Sequence, residues 1–126
     1  MKRLITATIF LLLAIALCLT GYAICLNKLN SINDALGKAS YVANIHDKEG
    51  VTQAAKNVQE EWDKSSVILC ALVLHSDMDD IDNRIYMLSY YAKDKNYYEF
   101  EKACQECIAI SDHIINSQHA TFENIF

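Results

Sequence analysis

Residues 67–92 read VILCALVLHSDMDDIDNRIYMLSYYA and contain the most regular pattern in the chain. Apolar residues recur there at alternating steps of four and three, the heptad spacing of a helix that packs lengthwise against other helices. They are Val67, Ala71, Leu74, Met78, Ile81, Ile85, Leu88 and Ala92. The pattern predicts a helical segment with one buried seam.

A second apolar stripe follows a short polar segment, residues 93–96. Its members are Phe100, Cys104, Cys107, Ser111, Ile114 and Gln118. Two helices joined by so short a turn pack as an antiparallel hairpin. Folding the chain about residues 94–95 places Glu106 level with Arg84, and His113 nearly level with residues 75–78.

Two further stripes precede this hairpin. One consists of Val51, Ala55, Val58 and Trp62, and the other of Leu29, Ile32, Leu36, Ala39, Ala43 and Ile45 or His46. Residues 47–50 form a polar turn between them, and a kink or break is predicted near Ser65 and Ser66. Because the chain has no Pro and only three Gly, we predict an all-α fold, an antiparallel bundle of three or four helices.

The block of residues 67–74 is apolar on every face of a helix. A helix of this kind is covered by more than one neighbour when it lies inside a protein. The alternative is a hydrophobic surface for a partner chain.

The segment 4–26 is apolar and contains no charged residue. At about 1.5 Å per residue, a helix of this length crosses the roughly 30 Å hydrocarbon core of a bilayer. Lys2 and Arg3 precede it, so the positive-inside rule places residues 1–3 in the cytoplasm. We predict a single-pass protein of the cell membrane, whose transmembrane helix over 4–26 continues into an extracytoplasmic helical domain over 27–126.

An alternative for the same segment is a cleaved signal peptide. Gly21, Tyr22 and Ala23 have the small-x-small pattern of a cleavage site. The apolar stretch before Gly21 is longer than the usual hydrophobic region of about 7–15 residues, which favours the membrane anchor.

The charge of the chain bears on its partners. Sixteen acidic residues outnumber eleven basic ones, which gives a net charge of −5. Two of the basic residues, Lys2 and Arg3, precede the apolar segment, so the remainder is more acidic still. An acidic surface repels phosphate backbones, and we therefore expect no nucleic acid as a partner.

A polar stripe runs beside the heptad seam. His75, Asp79, Asp82 and Tyr86 follow one another at steps of four, three and four. A histidine and two carboxylates on one helical face, with His113 approaching from the next helix, are a candidate site for a divalent metal. The structural alternative is that His75 hydrogen-bonds Asp79 and orders a contact between two helices.

Other reactive or aromatic residues have structural interpretations. Cys104 and Cys107 have C-x-x-C spacing, but they lie on a core stripe without a second pair, which favours buried free thiols. Trp62 and the aromatic residues of 90–100 are expected to pack in the core and at the hairpin end. The sequence contains no Gly-rich phosphate loop, Ser/His/Asp arrangement or nucleophile elbow. We predict no catalytic residue and no cofactor.

Several short features together resemble a known family. They are the basic start before a single span, the lone Trp62, the string HSDMDDID at 75–82 and the sequence ENIF at 123–126. The chain resembles short proteins of anaerobic spore-forming Firmicutes grouped as domain of unknown function family 4363. The resemblance implies a bacterial, membrane-anchored helical domain and assigns no activity. Ile125 and Phe126 are expected to tuck back over the bundle, and a docking peptide is the alternative.

Two functional hypotheses follow. The leading one is an interaction module, a membrane-tethered bundle that engages another envelope protein or itself, supported by the apolar block 67–74 and the lack of catalytic motifs. The alternative is a sensor or enzyme domain that binds a metal or a small ligand at His75, Asp79 and Asp82.

Overall fold

The structure is a computed structural model that describes residues 1–125. These residues form four α-helices, α1 (Lys2–Asn44), α2 (Lys48–Leu69), α3 (His75–Lys93) and α4 (Tyr97–Ile125). Helices α1 and α3 each pack against both α2 and α4. Because the connections are short, consecutive helices run antiparallel. The all-α bundle predicted from the sequence is confirmed, with four helices.

Only the second half of α1 belongs to the bundle. Its buried side chains begin at Cys25 and recur at heptad steps as far as Ala43. Nearly all side chains before residue 21 are exposed, although most are apolar. Within residues 1–125, α1 is the one helix long and apolar enough to cross a membrane, with a mean hydropathy of 2.6 over its most apolar window.

The core follows the stripes predicted for α2 and α4. Val51, Ala55, Val58 and Trp62 of α2 are buried. So are Phe100, Cys104, Cys107, Ser111 and Ile114 of α4. The predicted register of the last hairpin is also confirmed, because Arg84 Nε donates a hydrogen bond to Glu106 Oε2 at 3.0 Å.

The predicted break near Ser65 and Ser66 is wrong. Helix α2 continues to Leu69, and its buried stripe passes through Ser65 to Leu69 without a change of phase. A serine is small enough to fit between packed helices, so its polarity interrupts the hydrophobic pattern while the helix continues.

The predicted seam is consequently wrong in its first part. Val67, Ala71 and Leu74 are exposed, because they lie at the end of α2 and in the turn 70–74. The second part of the seam is confirmed. Its members Met78, Ile81, Ile85, Leu88 and Ala92 are all buried.

We call one end of the bundle the proximal end, because the exposed half of α1 extends from it. The turn 70–74 and the last turns of α4 meet α1 there. Gln118 donates a hydrogen bond to the carbonyl oxygen of Leu72 at 3.4 Å. The Tyr22 hydroxyl and Nδ1 of His119 are hydrogen-bonded at 2.7 Å.

The opposite end, the distal end, contains the turns 45–47 and 94–96. The rings of His46 and Tyr97 contact each other there, with centroids 5.1 Å apart. Asp47 caps α2 by accepting a hydrogen bond from the backbone N–H of Gly50 at 3.1 Å. The distal turns therefore carry polar and charged residues, unlike the turn at the proximal end.

Candidate functional site

Asp82, a member of the predicted polar stripe, is bound by Trp62 of α2. The indole Nε1–H donates a hydrogen bond to Asp82 Oδ1 at 2.7 Å, and Trp62 is only 2% exposed. A buried donor without an acceptor costs about 1–3 kcal/mol, so this carboxylate stabilises the core position of the ring and joins α2 to α3. Sequence reasoning missed the pair. A lone Trp on a core stripe was the available signal, because a buried indole N–H needs an acceptor on a neighbouring helix.

The other candidate ligands lie apart from this pair. His75 is the first residue of α3, Asp79 follows one turn later and His113 lies on α4, and all three are exposed. No group of three His, Cys, Asp or Glu side chains within residues 1–125 is arranged to hold a metal ion. The structure thus does not bring the four candidates together. Metal or small-ligand binding at His75, Asp79 and Asp82 stays a prediction.

Cys104 and Cys107 are free thiols in the core. Loss of hydration on burial raises the pKa of each thiol to about 12. The thiolate is the form that binds metals and attacks disulfides, and it is scarce at neutral pH when the pKa is so high. Both cysteines therefore act here as small apolar side chains that fill a helix interface.

Helices α2 and α3 present a set of aromatic and polar side chains on their outer side. We call this surface the tyrosine face, and it borders a shallow groove of about 530 Å³. Its members are Gln59, Tyr86, Met87, Ser89, Tyr90 and Lys93. Tyr86 is 75% exposed, and tyrosine and methionine are enriched where proteins bind one another.

The exposure of Tyr90 differs from the expected packing role of the aromatic cluster. Phe100 is buried, and Tyr91 and Tyr97 are half-buried as expected, but Tyr90 and Tyr98 are exposed. The difference arises because Tyr90 lies off the seam of α3, two residues after the buried Leu88.

The comparison with known families concerns the bundle as a whole. A family model described as Domain of unknown function (DUF4363) matches residues 23–125 of the 126-residue chain. The chain belongs to the DUF4363 family. The resemblance seen in the sequence is thereby confirmed, whereas an origin in Firmicutes stays a prediction. No curated protein and no solved structure matches the chain.

The extent of the DUF4363 match coincides with that of the bundle. The match begins at residue 23, two residues before Cys25, the first buried residue of α1. It ends at Ile125, the last residue of α4. The matched segment therefore covers the four-helix bundle, and most of the exposed half of α1 lies outside the match.

The DUF4363 bundle carries an apolar surface at its proximal end. We call it the proximal patch, and its members are the exposed side chains Val67, Ile68, Leu72 and Leu74. Val67 and Leu74 are 77% and 73% exposed. Of the two arrangements considered for residues 67–74, cover by neighbouring helices is incomplete for these side chains, and they form a hydrophobic surface.

Proposed function

We propose that this DUF4363 protein is a single-pass, membrane-anchored interaction module. Its bundle lies outside the cytoplasm and engages another envelope protein or a second copy of itself. The observation that carries the proposal is the exposed apolar half of α1, which continues without a break into the bundle core. An apolar surface of this length is unfavourable in water and favourable in a bilayer.

The contacts of α1 also support a retained anchor over a cleaved signal peptide. Tyr22 stacks on the ring of Phe122, with centroids 5.1 Å apart and an angle of 14° between the planes. Tyr22 is also hydrogen-bonded to His119. Cleavage after Ala23 would remove both contacts from the proximal end.

The topology is testable with a reporter fused after Phe126. We expect alkaline phosphatase at this position to be active and green fluorescent protein to be dark, because Lys2 and Arg3 keep the N-terminus in the cytoplasm. Changing both residues to Glu is expected to lower the phosphatase activity. A membrane-released product shortened by the first 23 residues would contradict the anchor.

The tyrosine face is the surface that we assign to the protein partner. Exposed Tyr86 and Tyr90 lie one helical turn apart on α3, beside Met87 and the groove. Tyrosine provides a large contact area at little cost in side-chain entropy, and such residues often dominate binding energy. The groove faces away from α1 and α4, because only α2 and α3 line it.

Photo-crosslinking in native membranes tests this assignment. A photoreactive phenylalanine derivative in place of Tyr86 or Tyr90 is expected to give the same crosslinked product. The matched control is Tyr41, which is 67% exposed on α1 and is expected to give little of that product. A product of twice the protomer mass would identify self-association. Equal yields from Tyr41 and Tyr86 would contradict the assignment.

A further inference from the structure

Leu72 of the proximal patch lies level with Gly21, inside the apolar segment of α1. A Cβ atom added to Gly21 would be 3.5 Å from Leu72 Cδ2, so the turn 70–74 contacts α1 at this glycine. Gly21 itself belongs to the apolar segment 4–26. About 20 helical residues cover the hydrocarbon core, and counted from Leu4 they extend to residue 23. A membrane that surrounds this segment therefore extends to the height of Leu72.

From this juxtaposition we propose that the bundle inserts its proximal patch into the bilayer that α1 crosses, with acyl chains of the outer leaflet around the side chains. The proposal rests on the membrane anchor of the proposed function. It adds a second contact with lipid, made by the turn between α2 and α3. The bundle is then held against the membrane surface and does not extend freely from it.

The two ends of the bundle differ in the way that this arrangement requires. Residues 67–74 contain no charged side chain, whereas the distal turns contain Asp47, Asp94 and Lys95. All these segments connect helices at an end of the same bundle, so their position in the fold alone does not explain the difference. A lipid environment at one end and water at the other explains it.

Part of the backbone of the turn is paired within the protein. The N–H groups of Ala71, Leu72 and Val73 donate hydrogen bonds to carbonyl groups of residues 68 and 69. The Leu72 carbonyl accepts one from Gln118. Backbone groups near hydrocarbon must be paired within the protein, because lipid offers no partner.

An open groove between the turn, α1 and α4 continues the apolar surface. Its volume is about 420 Å³, and Leu17, Cys18, Gly21 and Leu72 line it together with Phe122 and Ile125. Leu17 and Cys18 lie deeper in the apolar segment than Gly21, so the groove opens toward the hydrocarbon. At this depth in the bilayer, the molecules next to the groove are lipids, and we assign their acyl chains as its occupant. The Tyr22–His119 hydrogen bond lies beside the groove, and tyrosine is typical of the membrane interface.

The charges around the patch indicate which part of the lipid is bound. The nearest charged residues in sequence are Lys64 and Asp77, followed by Asp63, Asp79 and Asp80, and Glu123 lies in the last turns of α4 at the same end. This end of the bundle has no cluster of basic side chains to attract anionic headgroups. We therefore expect insertion to depend on acyl chains and to be insensitive to headgroup charge.

Quenching by brominated lipid tests the proposal on the full-length protein. Leu74→Trp places a probe in the patch, and Tyr98→Trp places one at the distal end with the same exposed fraction, 73%. The wild type contains Trp62 as its single tryptophan, and its emission is subtracted from that of each variant to isolate the emission of the probe. The proteins are reconstituted at low density in phosphatidylcholine vesicles with bromine on the upper acyl chain. Side chains at the interface enter about 5–10 Å, so we expect the probe at residue 74 to lose about half its emission and the probe at residue 98 to lose little.

The outcomes separate the possible occupants. Equal loss of emission from the probes at residues 74 and 98 would overturn the proposal. A blue-shifted but unquenched emission from the probe at residue 74 would also overturn it, because such an emission indicates contact with protein and not with lipid. Quenching that requires added anionic lipid would overturn the acyl-chain assignment. Resistance to alkaline carbonate extraction reports the anchor separately. An anchored protein without quenching at residue 74 refutes the insertion alone, and release by carbonate refutes the proposed function and the insertion together.

Discussion

Trp62→Ala is expected to lower the free energy of unfolding by about 3–5 kcal/mol. The ring is 2% exposed between α2 and α3, so its removal leaves a large cavity, and the hydrogen bond to Asp82 is lost as well. Thermal and denaturant unfolding of the full chain in detergent, followed by circular dichroism, measures the effect.

Asp82 provides a control for the same contact. Asp82→Ala leaves the buried indole N–H without its acceptor and is expected to cost about 1–3 kcal/mol. Asp79→Ala changes an exposed carboxylate on the same helix and is expected to cost less than about 0.5 kcal/mol. Equal effects of the two aspartate substitutions would show that Asp82 has no structural role beyond that of a surface residue.

Leu69→Ala is expected to cost about 2–5 kcal/mol, because Leu69 is completely buried at the end of α2. Leu74→Ala removes the same atoms from an exposed position five residues later, and we expect a cost below about 0.5 kcal/mol in detergent. Equilibrium unfolding of both variants distinguishes the observed seam of α2 from the predicted one. A larger loss for Leu74 than for Leu69 would restore the sequence-based seam.

The parts of the fold that were predicted correctly are helices with one apolar face and one polar face. Along 78–92 and 100–114, the buried positions are mostly apolar and the intervening ones mostly polar, so heptad spacing identifies the core directly. The turn at 94–96 was predicted because charged and amide side chains interrupt both stripes there.

The sequence-based predictions were wrong where the polarity of a side chain does not match its burial in the structure. Ser65 is buried with its hydroxyl oxygen unpaired by hydrogen bonds in the described chain, whereas a pattern based on polarity assigns a serine to the surface. Residues 67–74 are apolar on all sides, so periodicity carries no information about which side chains face the core. In both cases the packing between helices determines which side chains are buried.

The candidate site depended even more on tertiary contacts. The sequence identified Asp82 as one of several carboxylates on α3, but its partner Trp62 is 20 residues away on another helix. Spacing along one helix gives no means to separate Asp82 from Asp79. The sequence did place Arg84 and Glu106 correctly, because a short turn fixes the register of a hairpin.

The continuity of α1 has a mechanical consequence for a partner bound to this protein. The helix is unbroken from Lys2 to Asn44, so the bundle has no hinge that would let it move independently of the proposed membrane segment. From residue 21 to residue 44, α1 extends about 35 Å. A membrane helix tilts to match a thinner bilayer, and a tilt of about 20° would move the distal end sideways by about 12 Å. The location of the tyrosine face above the membrane would thus change with bilayer thickness.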